Sequence, residues 1–381
     1  MKKLFIVSGE HSGDTHGAGL MAALLAAGKE RGDDKNGAIE ISGLGGPLMA
    51  ELSSGIEDWL ADAAVLGLWE VLQKYAYFRG KMEETVQRIS QIKPDGVVLV
   101  DYPGFNLRLT QRLRKEGYQG KLIYYISPQV WAWKKGRIPR MAKWLDLMIC
   151  IFPFEKQLYE TSGLKTVFAG HPLVDQLHSE RAEISRDENL LALLPGSRER
   201  EIESLFPAMV EAARVLTEQD PSVRFASAAP SEKLQQRMRE IAADTGLTNL
   251  EVGLGNAHEL MQRASAGVVT SGTATLESAV FALPYCLVYR VAWPTYLAAK
   301  LLMDIQYLGI VNILAGKEVV KELLQKDACA ESIVVELGAM LNDVQKREAL
   351  QSSLAEVVAG LGGRGAYRQA AQAVEGELGL R

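Results

Sequence analysis

Residues 4–17 read Leu4-Phe5-Ile6-Val7-Ser8-Gly9-Glu10-His11-Ser12-Gly13-Asp14-Thr15-His16-Gly17. The apolar front predicts a buried strand over Leu4–Ser8. The glycines predict a tight turn that lets a ligand approach the backbone, and a helical pattern follows over Gly17–Ala27. A helix that starts directly after such a turn offers free N–H groups to an anion. The spacing is not Gly-x-Gly-x-x-Gly, so a dinucleotide fingerprint is not supported. The apolar run also stops at Ser8-Gly9-Glu10, short of the about 7–15 residues of a secretory signal core.

Outward from this stretch the same alternation repeats. Strands are predicted over Ile39–Ser42, Val97–Val100, Leu122–Ile126, Leu147–Cys150 and Thr166–Phe168, with helical patterns between them, Trp69–Gln91 among these. Runs rich in Val, Ile and Leu separated by helices indicate a parallel sheet covered on both faces. The polar stretch Ser179–Asn189 reads as a linker. The alternation then restarts with strands at Leu190–Leu194, Val223–Ala226, Val268–Thr270 and Tyr285–Tyr289. From about Lys317 the chain reads mainly helical, broken at Gly360–Gly365. The expected fold class is α/β, with two doubly wound Rossmann-like domains facing a central cleft. The expected domains are residues 1–178 and 179–364, with a C-terminal helix over 365–381 packing back on the first.

The 381 residues suffice for two domains. Three scattered cysteines, Cys150, Cys286 and Cys329, form no pair with metal or redox spacing and suit a reducing cytoplasm. No stretch approaches the roughly 20 apolar residues of a membrane-spanning helix. The net charge of −5 divides unevenly: +3 over residues 1–150 and −8 beyond. Between Gly104 and Lys143 there are ten basic residues against the single acid Glu116, a field that attracts phosphates or an anionic lipid surface. The acidic whole disfavours nucleic acid as a partner.

Four turns carry the polar residues. The first is Glu10 to His16. The second, Asp101-Tyr102-Pro103-Gly104-Phe105-Asn106, follows a strand and sets Asp101 either as a base for a hydroxyl proton or as a helix cap. In the third, Leu193-Leu194-Pro195-Gly196-Ser197-Arg198, an arginine beside a Gly-Ser turn suits a diphosphate, or else a surface ion pair with Glu199, Glu201 or Glu203. The fourth is Thr270-Ser271-Gly272-Thr273-Ala274-Thr275-Leu276-Glu277, a helix start for phosphate oxygens with Glu277 one turn on for ribose hydroxyls; a simple capped helix fits it too. Two further segments suit a lipid surface. One is the Trp-Lys-Arg stretch Trp131 to Trp144. The other is Val65–Phe78, whose stripe Val65, Leu68, Trp69, Leu72 and Ala76, widened by Val71, Tyr75 and Phe78, is broader than core packing requires. A buried helix accounts for the same stripe. No His/Cys/Asp set has metal-ligand spacing.

Together SGEHSGD, VDYPGFN, YYISPQVWAWKKGR, FPFEK, GHPLVD, LLPGSRERE, SGTATLE and VNILAGKEVVKELLQ resemble the lipid-A-disaccharide synthases, in that family's order and over nearly the whole chain. The resemblance implies a glycosyltransferase B-type fold. It also implies inverting transfer, without metal or cofactor, from UDP-2,3-diacylglucosamine to 2,3-diacylglucosamine 1-phosphate (lipid X), giving a β-1,6-linked disaccharide lipid and UDP at the cytoplasmic face of the inner membrane. Carried over by motif, Asp101 is the general base, and Arg198, Ser271, Gly272, Thr273, Glu277 and Asn312 contact UDP. Glu10, Ser12, Gly13, Asp14, Trp133 and Lys134 line the acceptor side, and Val65, Leu68, Trp69, Leu72 and Tyr75 meet the membrane. The residues alone leave two rivals standing: a UDP-sugar 2-epimerase of the same architecture, and a non-catalytic nucleotide-sugar sensor.

Overall fold

The structure, a computed structural model, describes residues 1–30, 39–60, 70–133, 135–182, 184–293, 296 and 306–380. The chain forms two compact units, Met1–Pro172 with Leu361–Arg381, and Leu173–Gly360. The helix Pro172–His178, placed in the first domain by the sequence, thus runs almost entirely in the second unit.

In the first unit the strands are β1 (Lys2–Ser8), β2 (Ile39–Gly45), β3 (Ile56–Asp58), β4 (Gly96–Val100), β5 (Lys121–Tyr125), β6 (Leu147–Cys150) and β7 (Thr166–Phe168). Its helices are α1 (His11–Glu30), α2 (Pro47–Leu52), α3 (Glu70–Ile92), α4 (Pro103–Lys115), α5 (Val130–Trp133), α6 (Ile138–Trp144) and α7 (Pro153–Glu160). The second unit begins with α8 (Pro172–His178) and carries β8 (Asp187–Leu194), β9 (Arg224–Ala229), β10 (Leu250–Leu254), β11 (Ala264–Thr270), β12 (Tyr285–Tyr289) and β13 (Glu322–Leu324). Its other helices are α9 (Glu199–Gln219), α10 (Glu232–Ala243), α11 (Ala257–Arg263), α12 (Thr273–Val280), α13 (Ile310–Ala315), α14 (Ala330–Asn342) and α15 (Val344–Gly360). The last helix, α16 (Ala366–Leu378), packs on α1 in the first unit.

Both sheets are parallel. The first runs β3-β2-β1-β4-β5-β6-β7 and the second β10-β9-β8-β11-β12-β13. Leu4–Val7 and Val97–Val100 are fully buried, as central strands covered on both faces must be. Three strands escaped the sequence reading: β3, β10 and β13. All three lie at sheet edges. An edge strand pairs on one side only and carries no continuous apolar run; Glu251 and Leu254 of β10 are exposed.

In an open α/β sheet ligands sit beyond the carboxyl ends of the strands where the strand order reverses. Here those points lie between β1 and β4, and between β8 and β11. Ser8 pairs with Val100, and Val269 with Leu194. The register therefore brings the four polar turns together as two pairs, one pair at each switch point.

Candidate active site

At the switch point of the first unit, Gly9-Glu10 after β1 lies beside Asp101 after β4. The ring of Tyr102 lies so close over Gly9 that any Cβ there would collide with it, which explains the glycine. Asp101 and Tyr102 both take left-handed backbone conformations, φ +44° and +47°. Such a pair of non-glycine residues is sterically unfavourable and persists only where the surroundings hold it. The holding groups are visible. The carbonyl of Asp101 accepts hydrogen bonds from the Asn106 amide (2.8 Å) and the Tyr124 hydroxyl (2.6 Å), and its N–H donates to the Tyr125 carbonyl (2.9 Å).

The Asp101 carboxyl is mostly buried. Burial first, and the negative charge of Glu10 second, raise its pKa from the ordinary aspartate value to about 6, against a smaller lowering by the Tyr102 N–H. A carboxylate in that range takes a hydroxyl proton more readily than an ordinary one and is still ionised at neutral pH.

Other residues of this turn divide. Glu10 and Ser12 are exposed and available. Gly13 is buried in the first turn of α1. Asp14 corrects an expectation: it is 2% exposed, and its carboxylate accepts from the N–H groups of Gly46 (2.9 Å), Leu48 (3.0 Å) and Met49 (3.1 Å). It tethers the start of α2 rather than lining an acceptor site. Trp131 is likewise no surface anchor. It is buried, and its indole N–H donates to Glu155 (3.0 Å). Glu155, pushed up to about 7 by burial, also accepts from the Phe152 N–H (3.2 Å), and Tyr159 bonds Ser127 at 2.7 Å. This network fixes the Ser127–Trp131 turn. Lys134, Val65, Leu68 and Trp69 lie outside the described residues, as do the side chains of Trp133, Leu72 and Tyr75.

At the switch point of the second unit, Arg198 stands at the start of α9 with its side chain 82% exposed and paired to Glu201 at 3.0 Å. Glu201 also takes the N–H groups of Ser197 (3.2 Å) and Arg198 (3.3 Å), so a carboxylate occupies this helix start, beside the arginine that the sequence assigns to a diphosphate. Gly196 is required by its backbone, whose φ of +101° lies where other residues are strained. Across from it, Gly272 and Thr273 are exposed at the start of α12, and Ser271 is anchored through its N–H to the Val288 carbonyl (3.1 Å).

Glu277, one turn into α12, is met by His258 of α11, whose Nε2 lies 3.5 Å from it; Nδ1 of the same ring bonds Glu180. The Glu277 carboxylate first and that of Glu180 next outweigh partial burial and raise the His258 pKa to about 9, so the ring is cationic at neutral pH. Asn312 corrects a second expectation. It is fully buried, its carbonyl oxygen accepts from Val319 N–H (2.7 Å) and Val320 N–H (2.9 Å), and its amide donates to the Val320 carbonyl (2.8 Å) and Glu322 (2.9 Å). An asparagine side chain offers four hydrogen-bonding positions, and all four are taken by the chain itself. Asn312 locks the loop before β13 and has none left for a nucleotide.

Four residues that shape these sites were given no role by sequence reasoning. Tyr124 lay within the predicted strand Leu122–Ile126, Asn106 within the turn that carries Asp101 and Glu155 within the FPFEK stretch, while His258 was not singled out. Each acts through a partner distant in sequence, Asn106 excepted, and only its place five residues after Asp101 gave a signal.

Two doubly wound parallel units with polar turns at both switch points define a glycosyltransferase B-type molecule. Two solved structures are similar in fold. The calicheamicin glycosyltransferase CalG4 has a TM-score of 0.60 at 16% identity, over 100% of this chain and 98% of that one. A UDP-GlcNAc 2-epimerase from Neisseria meningitidis has 0.58 at 11%, over 100% of both. Sequence similarity is more specific. The family model described as lipid-A-disaccharide synthetase matches residues 4–376. The lipid-A-disaccharide synthase of Syntrophus aciditrophicus is 38% identical over 97% of this chain and 96% of its own length, and that of Persephonella marina 35% over the full length of both. The chain belongs to the lipid-A-disaccharide synthetase family, and is an enzyme of the glycosyltransferase class.

Proposed function

We propose that this enzyme transfers the sugar of UDP-2,3-diacylglucosamine to the 6-hydroxyl of 2,3-diacylglucosamine 1-phosphate, with inversion, working at the cytoplasmic face of the inner membrane. The observation that carries the reading is Asp101: a carboxyl lifted to about 6, at the switch point of the first sheet, on a backbone gripped by Asn106 and Tyr124. In the step, Asp101 takes the hydroxyl proton as the acceptor oxygen forms its bond to the anomeric carbon. The bond from that carbon to the diphosphate breaks, and UDP leaves with the electron pair. Negative charge grows on the departing diphosphate. In the second unit Arg198 and the N–H groups at Gly272 and Thr273 are the groups suited to stabilise it, and Glu277 to hold the ribose. Arg198 reaches the diphosphate by leaving Glu201, an exposed pair of the kind that contributes at most about 1 kcal/mol. Among the described residues no helix is long and apolar enough to cross a membrane, so access to diacylated substrates is read as contact from the side.

The test is release of UDP from UDP-2,3-diacylglucosamine with and without the acceptor, in EDTA. Acceptor-dependent release is expected. Release without acceptor, or turnover of UDP-N-acetylglucosamine to its 2-epimer, overturns the reading.

A further inference from the structure

Between α3 and α4 a groove of about 530 Å³ opens on the side of the first unit, lined by Phe78, Met82, Tyr102 and Phe105 among others. Its volume lies in the range of small-molecule sites. The floor is aromatic: Tyr102 stacks on Phe105 with ring centres 6.3 Å apart, and Phe78 meets Tyr102 at 6.4 Å. The rim is basic. Arg79, Arg108, Arg112 and Lys115 border the groove with one acid, Glu83. Arg112 is engaged by Glu83 and Glu116. Arg79, Arg108 and Lys115 are exposed and make no hydrogen bond or ion pair among the described residues.

This arrangement has a local cost. Arg108, Arg112 and Lys115 fall at i, i+4 and i+7 on one face of α4, and like charges so spaced destabilise a helix by about 0.2–0.5 kcal/mol per pair. Arg112 of that stripe ties α4 to Glu83 of α3, whereas Arg108 and Lys115 serve neither the packing of α4 nor the site around Asp101. One end of the groove is Tyr102, the residue next to Asp101. Arg108 lies five residues beyond Pro103, about 8 Å along the helix axis. An apolar floor under a cationic rim, continuous with the proton acceptor, fits an amphiphile with an anionic headgroup whose reactive hydroxyl lies at Asp101.

We propose that this groove is the acceptor subsite: one acyl chain of the lipid acceptor lies over Phe78, Met82, Tyr102 and Phe105, and Arg79 and Arg108 hold its phosphate. The assignment rests on the transferase reading above. Wild-type turnover tests that reading separately, because loss of transfer in the wild type removes the reading itself, whereas the groove is tested only by variants.

The experiment measures KM for the phosphorylated acceptor and for the same lipid lacking its phosphate, in detergent micelles, for wild type and Arg79→Ala/Arg108→Ala. Both arginines are exposed and make no internal bond, so the fold tolerates their removal. A rise of about tenfold or more in KM for the phosphorylated acceptor is expected, with donor KM unchanged and preference over the dephosphorylated lipid lost. Met82→Trp, which fills the groove, should raise KM for long-chain acceptors and spare short-chain ones. An unchanged acceptor KM in the double-alanine variant overturns the proposal. That includes the case in which the variant no longer binds phosphatidylglycerol vesicles, because the arginines then serve the bilayer.

Discussion

Asp101→Asn separates what the carboxyl does for chemistry from what it does to stability. The pKa of Asp101 is raised from 3.8 to about 6 by burial and by Glu10. The native state therefore binds its proton more tightly than the unfolded chain, and stability falls as pH rises from about 4 through about 6. A shift of roughly two units corresponds to about 3 kcal/mol of destabilisation once both states are ionised. At pH 4.5 the native carboxyl is still protonated while the unfolded one is mostly ionised, and the penalty is only about 1 kcal/mol. Asparagine keeps the shape, tolerates the left-handed backbone at φ +44°, and has no charge to bury. The variant should therefore gain about 3 kcal/mol at pH 8 and about 1 kcal/mol at pH 4.5, while transfer falls by about 10²–10⁴-fold. Urea unfolding of both proteins at the two pH values, followed by near-ultraviolet circular dichroism, reads the difference, and UDP release reads the loss. Equal gains at both pH values, or a loss at pH 8, would refute the argument that a strained, desolvated carboxylate is maintained there for its reactivity.

Tyr124→Phe removes one of the two grips on the Asp101 carbonyl; kcat should drop about five- to tenfold at unchanged KM, and an equal drop in donor affinity would speak against a positioning role. Asp14→Ala leaves three N–H groups of the α2 start without an acceptor. It should lower stability by about 2–4 kcal/mol in a thermal melt, whereas lost activity at unaltered stability would return Asp14 to the acceptor site. Asn312→Ala should destabilise the second unit by a similar amount, about 2–4 kcal/mol, with UDP affinity of the folded protein retained; the opposite pattern in calorimetry would make Asn312 a nucleotide ligand after all. His258 has its pKa raised to about 9 by Glu277 and Glu180, so its stabilising effect is complete below about 6.5 and fades as pH rises through 9. His258→Gln should therefore be less stable than wild type at pH 6 and indistinguishable near pH 10, as urea midpoints would show.

Much of the molecule was legible in one dimension. The central strands β1, β4, β8 and β11 announce themselves as apolar runs because a parallel strand is buried on both faces, and the turns that follow them carry the polar residues because that is where backbone meets ligand. Asp101 and Ser271–Glu277 were singled out because they stand directly after one of those strands, and Arg198 because it stands four residues after another. Other features were invisible for equally physical reasons. Half-exposed edge strands such as β10 lack the run, and the fate of a polar side chain depends on which distant backbone groups reach it. Asp14 and Asn312 resembled site residues in their motifs, yet both prove to be buried, Asp14 accepting from N–H groups up to 35 residues away and Asn312 with both its oxygen and its amide engaged by the chain. The sequence by itself determined the two-sheet architecture and the turns that hold the chemistry, because hydrophobic period and glycine placement are local. Only the tertiary structure decided which carboxylates and amides remain free to act, because burial and hydrogen-bond supply are set by neighbours that the chain brings together after it folds.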